Sequence, residues 1–124
     1  DLVQTKAYYD SLMPLLGYEA HIVHEDQFSY RSVGNELGTS LFFYPALEEG
    51  LYSRHQPGLQ HLAFMVNSRA EVRLVHDKAR LLGSEVVHAP RLFPQYRPHY
   101  YATFWLDTEG FMLEAVCLQD EEST

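Results

Sequence analysis

At 124 residues the chain suffices for one domain with one sizeable core, and its apolar share of 46% is that of an ordinary globular protein. A formal net charge of -8 repels a phosphate backbone, so no nucleic-acid partner is expected. No apolar run approaches the roughly 18 to 20 residues that a membrane span needs, and the single cysteine, Cys117, rules out an internal disulfide and every multi-cysteine zinc motif.

The first element reads as a helix capped by Asp1, with Val3, Ala7, Tyr8, Leu12 and Leu15 at helical spacing. Pro14 lacks an amide proton and clashes with the preceding turn, so the regular helix should end near Met13, with Gly17 closing the turn. Three strand-like runs follow, at about 20–24, 28–33 and 40–44, separated by Asp26 and then by Gly34, Asn35 and Gly38. Residues 45–59 carry two prolines and two glycines and read as a linker. A strand is expected at 60–66.

The second helix is the best signalled. Ser68-Arg69-Ala70-Glu71 is a capping box, Val72, Val75, Ala79 and Leu82 make an apolar stripe, and Gly83 is the stop. Strands follow at 85–89, 100–106 and 111–117, the last two joined by a tight turn at Asp107-Thr108-Glu109-Gly110. The acidic tail, 119–124, reads as a solvated end.

Leu15-Leu16-Gly17-Tyr18-Glu19 parallels Leu81-Leu82-Gly83-Ser84-Glu85 at an offset of 66, and helix, strand, strand, strand follow in the same order in each copy. The second copy is preceded by a strand at 60–66. The counterpart of that strand would end just before Asp1, so the expectation is that the first module lacks its opening strand in this sequence.

Two βαβββ modules in tandem resemble the glyoxalase/bleomycin-resistance/extradiol-dioxygenase (vicinal-oxygen-chelate) superfamily. Residues 7–19 resemble its first helix and following strand, 58–66 its fifth strand, and 100–116 its last hairpin. The resemblance implies an α+β fold in which both modules form a curved, cup-like mixed sheet, with module 1 at about 1–50 and module 2 at about 60–118. In metal-binding members one ligand is a histidine early in the fifth strand and another a glutamate in the eighth, which match His61 and Glu114 here. A third ligand usually comes from the first strand. Glyoxalase I members also use a carboxylate in the fourth strand, where this chain reads Thr39-Ser40-Leu41-Phe42-Phe43-Tyr44-Pro45, so glyoxalase I activity is disfavoured. A homodimer in the cytoplasm is expected, the dimer from the resemblance and the compartment from the single thiol.

Strand alternation makes its own case for a site. His61 shares a face with Ala63 and Met65, and Glu114 with Met112 and Val116. Glu114 is the one charged side chain in 111–117, and a buried carboxylate needs a cation, strong donors or a proton. Tyr101, Thr103 and Trp105 alternate against Tyr100, Ala102, Phe104 and Leu106, and are expected to share the inner face with His61 and Glu114. A histidine and a carboxylate with open positions suit iron, manganese, zinc or nickel, acting as a Lewis acid on substrate oxygens. The same two residues in a metal-free protein would be an ordinary buried ion pair.

His21 and His24 are three apart on a strand and point to opposite faces, and His55, His76, His88 and His99 read as structural or loop residues. Residues 90–99 hold three prolines with Arg91, Tyr96 and Arg97, and read equally as a site rim, with Arg97 holding an anionic substrate group, or as a stiff connection. Cys117 is expected in the core. Two functions stay open. One is metal-dependent chemistry on a small oxygenated metabolite, of the lyase, isomerase, epoxide-opening or dioxygenase kind. The other is metal-free sequestration of a drug or metabolite in an aromatic cleft built from Phe42, Phe43, Tyr101 and Trp105.

Overall fold

The computed structural model describes residues 1–35 and 37–120; Glu121 and Glu122 of the expected acidic tail lie outside the described residues. The chain divides into two compact units, Asp1–Gly50 and Leu51–Thr124.

In the first unit, helix α1 (Leu2–Leu12) starts where the Asp1 carboxylate accepts from the amides of Val3 and Gln4 at 3.0 and 3.2 Å. Pro14 ends the regular helix as expected, and the chain tightens into one 3₁₀ turn, Met13–Leu16. Gly17 then takes φ 86°, a left-handed conformation that favours glycine. Strands β1 (Tyr18–Val23), β2 (Phe28–Ser32) and β3 (Ser40–Phe43) form an antiparallel sheet in that order. The buried face of α1 is Tyr8, Tyr9 and Leu12, whereas Val3 is exposed, so the stripe begins one turn later than its spacing suggests. The Tyr30 hydroxyl donates to Asp10 at 2.7 Å, tying β2 to α1, and burial with this bond pushes the phenol well above its usual range.

The second unit opens with β4 (His61–Met65) and α2 (Arg69–Leu81), then β5 (Val86–Leu92), β6 (Tyr101–Leu106) and β7 (Met112–Cys117). Its sheet runs β4-β7-β6-β5, with β4 parallel to β7 and the other pairs antiparallel. The expected capping box is present in modified form. Ser68 Oγ accepts from the Glu71 amide at 3.1 Å, and the Glu71 carboxylate reaches the amide of Asn67 at 3.4 Å, one residue before the cap. Val72, Val75 and Ala79 are fully buried, and α2 packs on β5, β6 and β7. Gly83, the repeat partner of Gly17, has φ 83°.

β5 runs through Pro90 as far as Leu92, beyond the expected end at 89. A proline is tolerated there because β5 is an edge strand and its register shifts between His88 and Arg91. Cys117 is buried and free, as expected. Among the described residues, no helix is long and apolar enough to cross a membrane.

Candidate functional site

Glu114 sits in the middle of β7, in register with Ala63 of β4 and Phe104 of β6. Residues opposite one another across a sheet share a face. One face therefore carries His61, Ala63 and Met65 from β4, Met112, Glu114 and Val116 from β7, and Ala102, Phe104 and Leu106 from β6. Glu114 is only 2% exposed. An ionised carboxylate at that depth is costly unless its oxygens are bonded, and both are. Oε1 lies 3.0 Å from His61 Nε2, and Oε2 accepts from the Tyr100 hydroxyl at 2.5 Å. Burial, reinforced by this bond and by the charge of Glu114, pushes the Tyr100 phenol well above its usual range, so it remains a donor.

The other ring nitrogen of His61, Nδ1, faces Gln60 Oε1. The tautomer protonated at Nδ1 donates to Gln60 Oε1 and leaves the Nε2 lone pair facing Glu114. A neutral ring would then aim its Nε2 lone pair at a carboxylate oxygen, which is repulsive. In that tautomer a proton or a cation between the two removes the repulsion; in the other tautomer Nε2–H donates to the carboxylate directly. The 3.0 Å gap is also that of two neighbouring ligand atoms of an octahedral ion, each about 2.1 Å from it. The donor set fits two positions of a metal site. Among the described residues no group of three His, Cys, Asp or Glu side chains comes together to complete one.

Around this polar centre stands an aromatic wall. Phe104 lies 6.0 Å from His61, 5.5 Å from His88 and 5.3 Å from Phe93, ring centre to ring centre. Tyr96 stacks on Phe93 at 5.7 Å and meets Tyr100 edge-on at 5.2 Å. Phe93 is buried, whereas Tyr96 is 60% exposed and His88 is also exposed. His99, immediately before Tyr100, is the one non-glycine described residue with positive φ, at 65°.

His61 and Glu114 are thus brought together. Tyr101, Thr103 and Trp105 are not with them, which corrects their expected placement. They lie on the opposite face: Tyr101 meets the guanidinium groups of Arg69 and Arg73 from α2, the Thr103 hydroxyl donates to the His88 carbonyl at 2.8 Å, and Trp105 is buried in register with Leu113. The cause is the β6–β7 turn. A two-residue loop at 108–109 would set Thr103 opposite Glu114. Instead Asp107 pairs with Phe111 through its amide at 2.8 Å, leaving a three-residue loop that ends in Gly110 at φ 84°. That one-residue slip exchanges the faces of β6. Arg97 is exposed in the 93–100 loop, and Phe43 belongs to the first unit, stacked on Phe28 at 4.9 Å and beside Tyr9 at 4.6 Å.

Sequence reasoning missed Tyr100, Phe104 and Gln60 as neighbours of the pair. The αL preference of Gly110 was the one signal that could have set the register.

No family model matches the chain, and no curated protein does. Solved structures do. A glyoxalase candidate from Bacillus halodurans is 26% identical, with 94% of this chain and 87% of that one covered and a TM-score of 0.77. A glyoxalase/bleomycin resistance protein from Albidiferax ferrireducens is 18% identical over 94% and 89%, TM-score 0.73. The fosfomycin resistance protein FosX from Listeria monocytogenes is 21% identical over 100% and 88%, TM-score 0.62. The order of elements, the sheet topology and these likenesses agree: the chain has the fold of the glyoxalase/bleomycin-resistance/dioxygenase proteins, the vicinal-oxygen-chelate type.

Proposed function

We propose that the second unit binds a small oxygen-bearing metabolite against the Glu114 face of its sheet, and that His61 and Glu114 supply two ligands of a divalent cation there. The observation that carries this reading is the buried Glu114 oxygen 3.0 Å from His61 Nε2, with His61 Nδ1 against Gln60 Oε1. Iron, manganese, zinc or nickel suits an imidazole and a carboxylate. When bound, such an ion supplies Lewis-acid stabilisation of negative charge on substrate oxygens, the chemistry of lyases and dioxygenases.

The chain's own residues divide the rest of the work. Tyr100 occupies Oε2 and leaves Oε1 directed at His61. Gln60, accepting from Nδ1–H, would hold the tautomer that leaves Nε2 free for the cation. Phe93, Phe104 and Tyr96 give an apolar wall that excludes water from a bound molecule. Ala63 opposite Glu114 carries only a methyl group and leaves the carboxylate uncrowded from β4. Arg97, exposed in the 93–100 loop, would meet an anionic substituent.

Elemental analysis of protein purified without chelators tests this. Wild type should carry a stoichiometric transition metal, and Glu114→Gln should lose it. Metal content unaffected by the substitution would refute the ligand assignment.

A second reading is favoured by the bonds that Tyr100 and His61 already make to both Glu114 oxygens. In it His61 is an imidazolium, no metal is needed, and the unit sequesters its ligand without chemistry. Nitrogen-15 shifts of the His61 ring separate the two: both nitrogens protonated at neutral pH in metal-free conditions, with no metal uptake, supports sequestration.

A further inference from the structure

We infer that Arg69, Arg73 and Tyr101 form a binding site for a phosphoryl oxyanion on the α2 face of the second sheet, the face opposite Glu114. Arg69 is only 7% exposed, and its buried Nε has no hydrogen-bond partner. Its guanidinium carbon lies 5.1 Å from the centre of the Tyr101 ring, and that of Arg73 lies 5.9 Å from it. Arg73 Nη1 also reaches the Tyr101 hydroxyl at 3.5 Å. The two arginines are four apart on α2, so they project from one side of the helix.

What marks the cluster is its missing counter-charge. The chain has 17 acidic and 9 basic residues, so carboxylates are plentiful. Yet among the described residues the ion pairs are Lys6–Asp10, Arg31–Glu19 and His61–Glu114, and neither Arg69 nor Arg73 has one. The nearest acid in sequence, Glu71, is turned back onto the Asn67 amide. A guanidinium removed from water without a counter-ion is unfavourable, and an incoming anion relieves that cost.

The donor arrangement favours a phosphoryl group over a carboxylate. Two guanidinium groups and a phenol are three separate donor side chains, one for each of three phosphoryl oxygens, where a carboxylate offers two. The site lies in the first turns of α2, where the helix dipole adds to the attraction.

Calorimetric titration of the whole chain with inorganic phosphate, at constant ionic strength, tests the assignment. Wild type should show one saturable site. Arg73→Ala, an exposed position that leaves the core intact, should weaken it about tenfold or more, and Arg73→Lys should recover part of the loss. Glu114→Gln should bind phosphate as wild type does, which separates this site from the His61–Glu114 pair. Acetate at the same ionic strength should give no saturable heat. Absence of a saturable site in wild type, undiminished binding by a folded Arg73→Ala, loss of binding in Glu114→Gln, or acetate binding as tight as phosphate would each overturn the inference.

Discussion

Two tyrosines each hold a carboxylate, Tyr30 on Asp10 and Tyr100 on Glu114, at 2.7 and 2.5 Å. The second bond is made to a fully buried acid, so its loss leaves an oxygen unsatisfied. Tyr100→Phe is therefore expected to destabilise by about 1.5–3 kcal/mol in urea unfolding, the range for hydrogen bonds to charged groups. Both phenols are raised above their usual 10.0, chiefly by burial. The folded state thus holds two protons that the unfolded chain releases near pH 10. Their contribution is complete below that pH and falls as pH rises above it. The stability of wild type should drop on the alkaline side of pH 10. Tyr30→Phe and Tyr100→Phe should each flatten that limb, and an unchanged alkaline slope in both would contradict the assignment. At this scale the sequence reveals Glu114 as a charge out of place and His61 by its position in β4. It conceals Tyr100, whose side is set by the β6–β7 hairpin and not by its own neighbours in sequence.

The hairpin joining β6 and β7 decides that question. Asp107 Oδ1 accepts from the amides of Glu109 and Phe111 at 2.8 and 2.9 Å, and Gly110 closes the loop at φ 84°. A methyl group at Gly110 would meet nothing within 4 Å, so the cost of Gly110→Ala is purely conformational. About 1 kcal/mol of lost stability is expected by chemical denaturation, since alanine is strained at positive φ. No loss would indicate a different loop conformation and reopen the register of Phe104 with Glu114. Elements with a local signature were legible: the Asp1 and Ser68 caps, the break at Pro14, and Gly17 and Gly83 at the helix ends. The extension of β5 through Pro90 was not, because whether a proline breaks a strand depends on its being at an edge, a property of the whole sheet.

On the scale of the whole molecule, the 66-residue repeat reads through to structure. Each unit has a helix followed by three strands, and Gly17 and Gly83 adopt nearly the same φ, 86° and 83°. The copies differ where chemistry is expected. The β1–β2 connection occupies 24–27, whereas the β5–β6 connection occupies 93–100 and brings Phe93, Tyr96 and Tyr100 to the Glu114 face. The second copy has thus acquired both a buried acid and an aromatic rim from one supersecondary plan. The proposed function requires His61 and Glu114 to grip a common ion. The most direct measurement is anomalous scattering from crystals grown with manganese. The account predicts a peak about 2.0–2.2 Å from both His61 Nε2 and Glu114 Oε1. Refined coordinates without such a peak, with the imidazole bonded directly to the carboxylate, would contradict it.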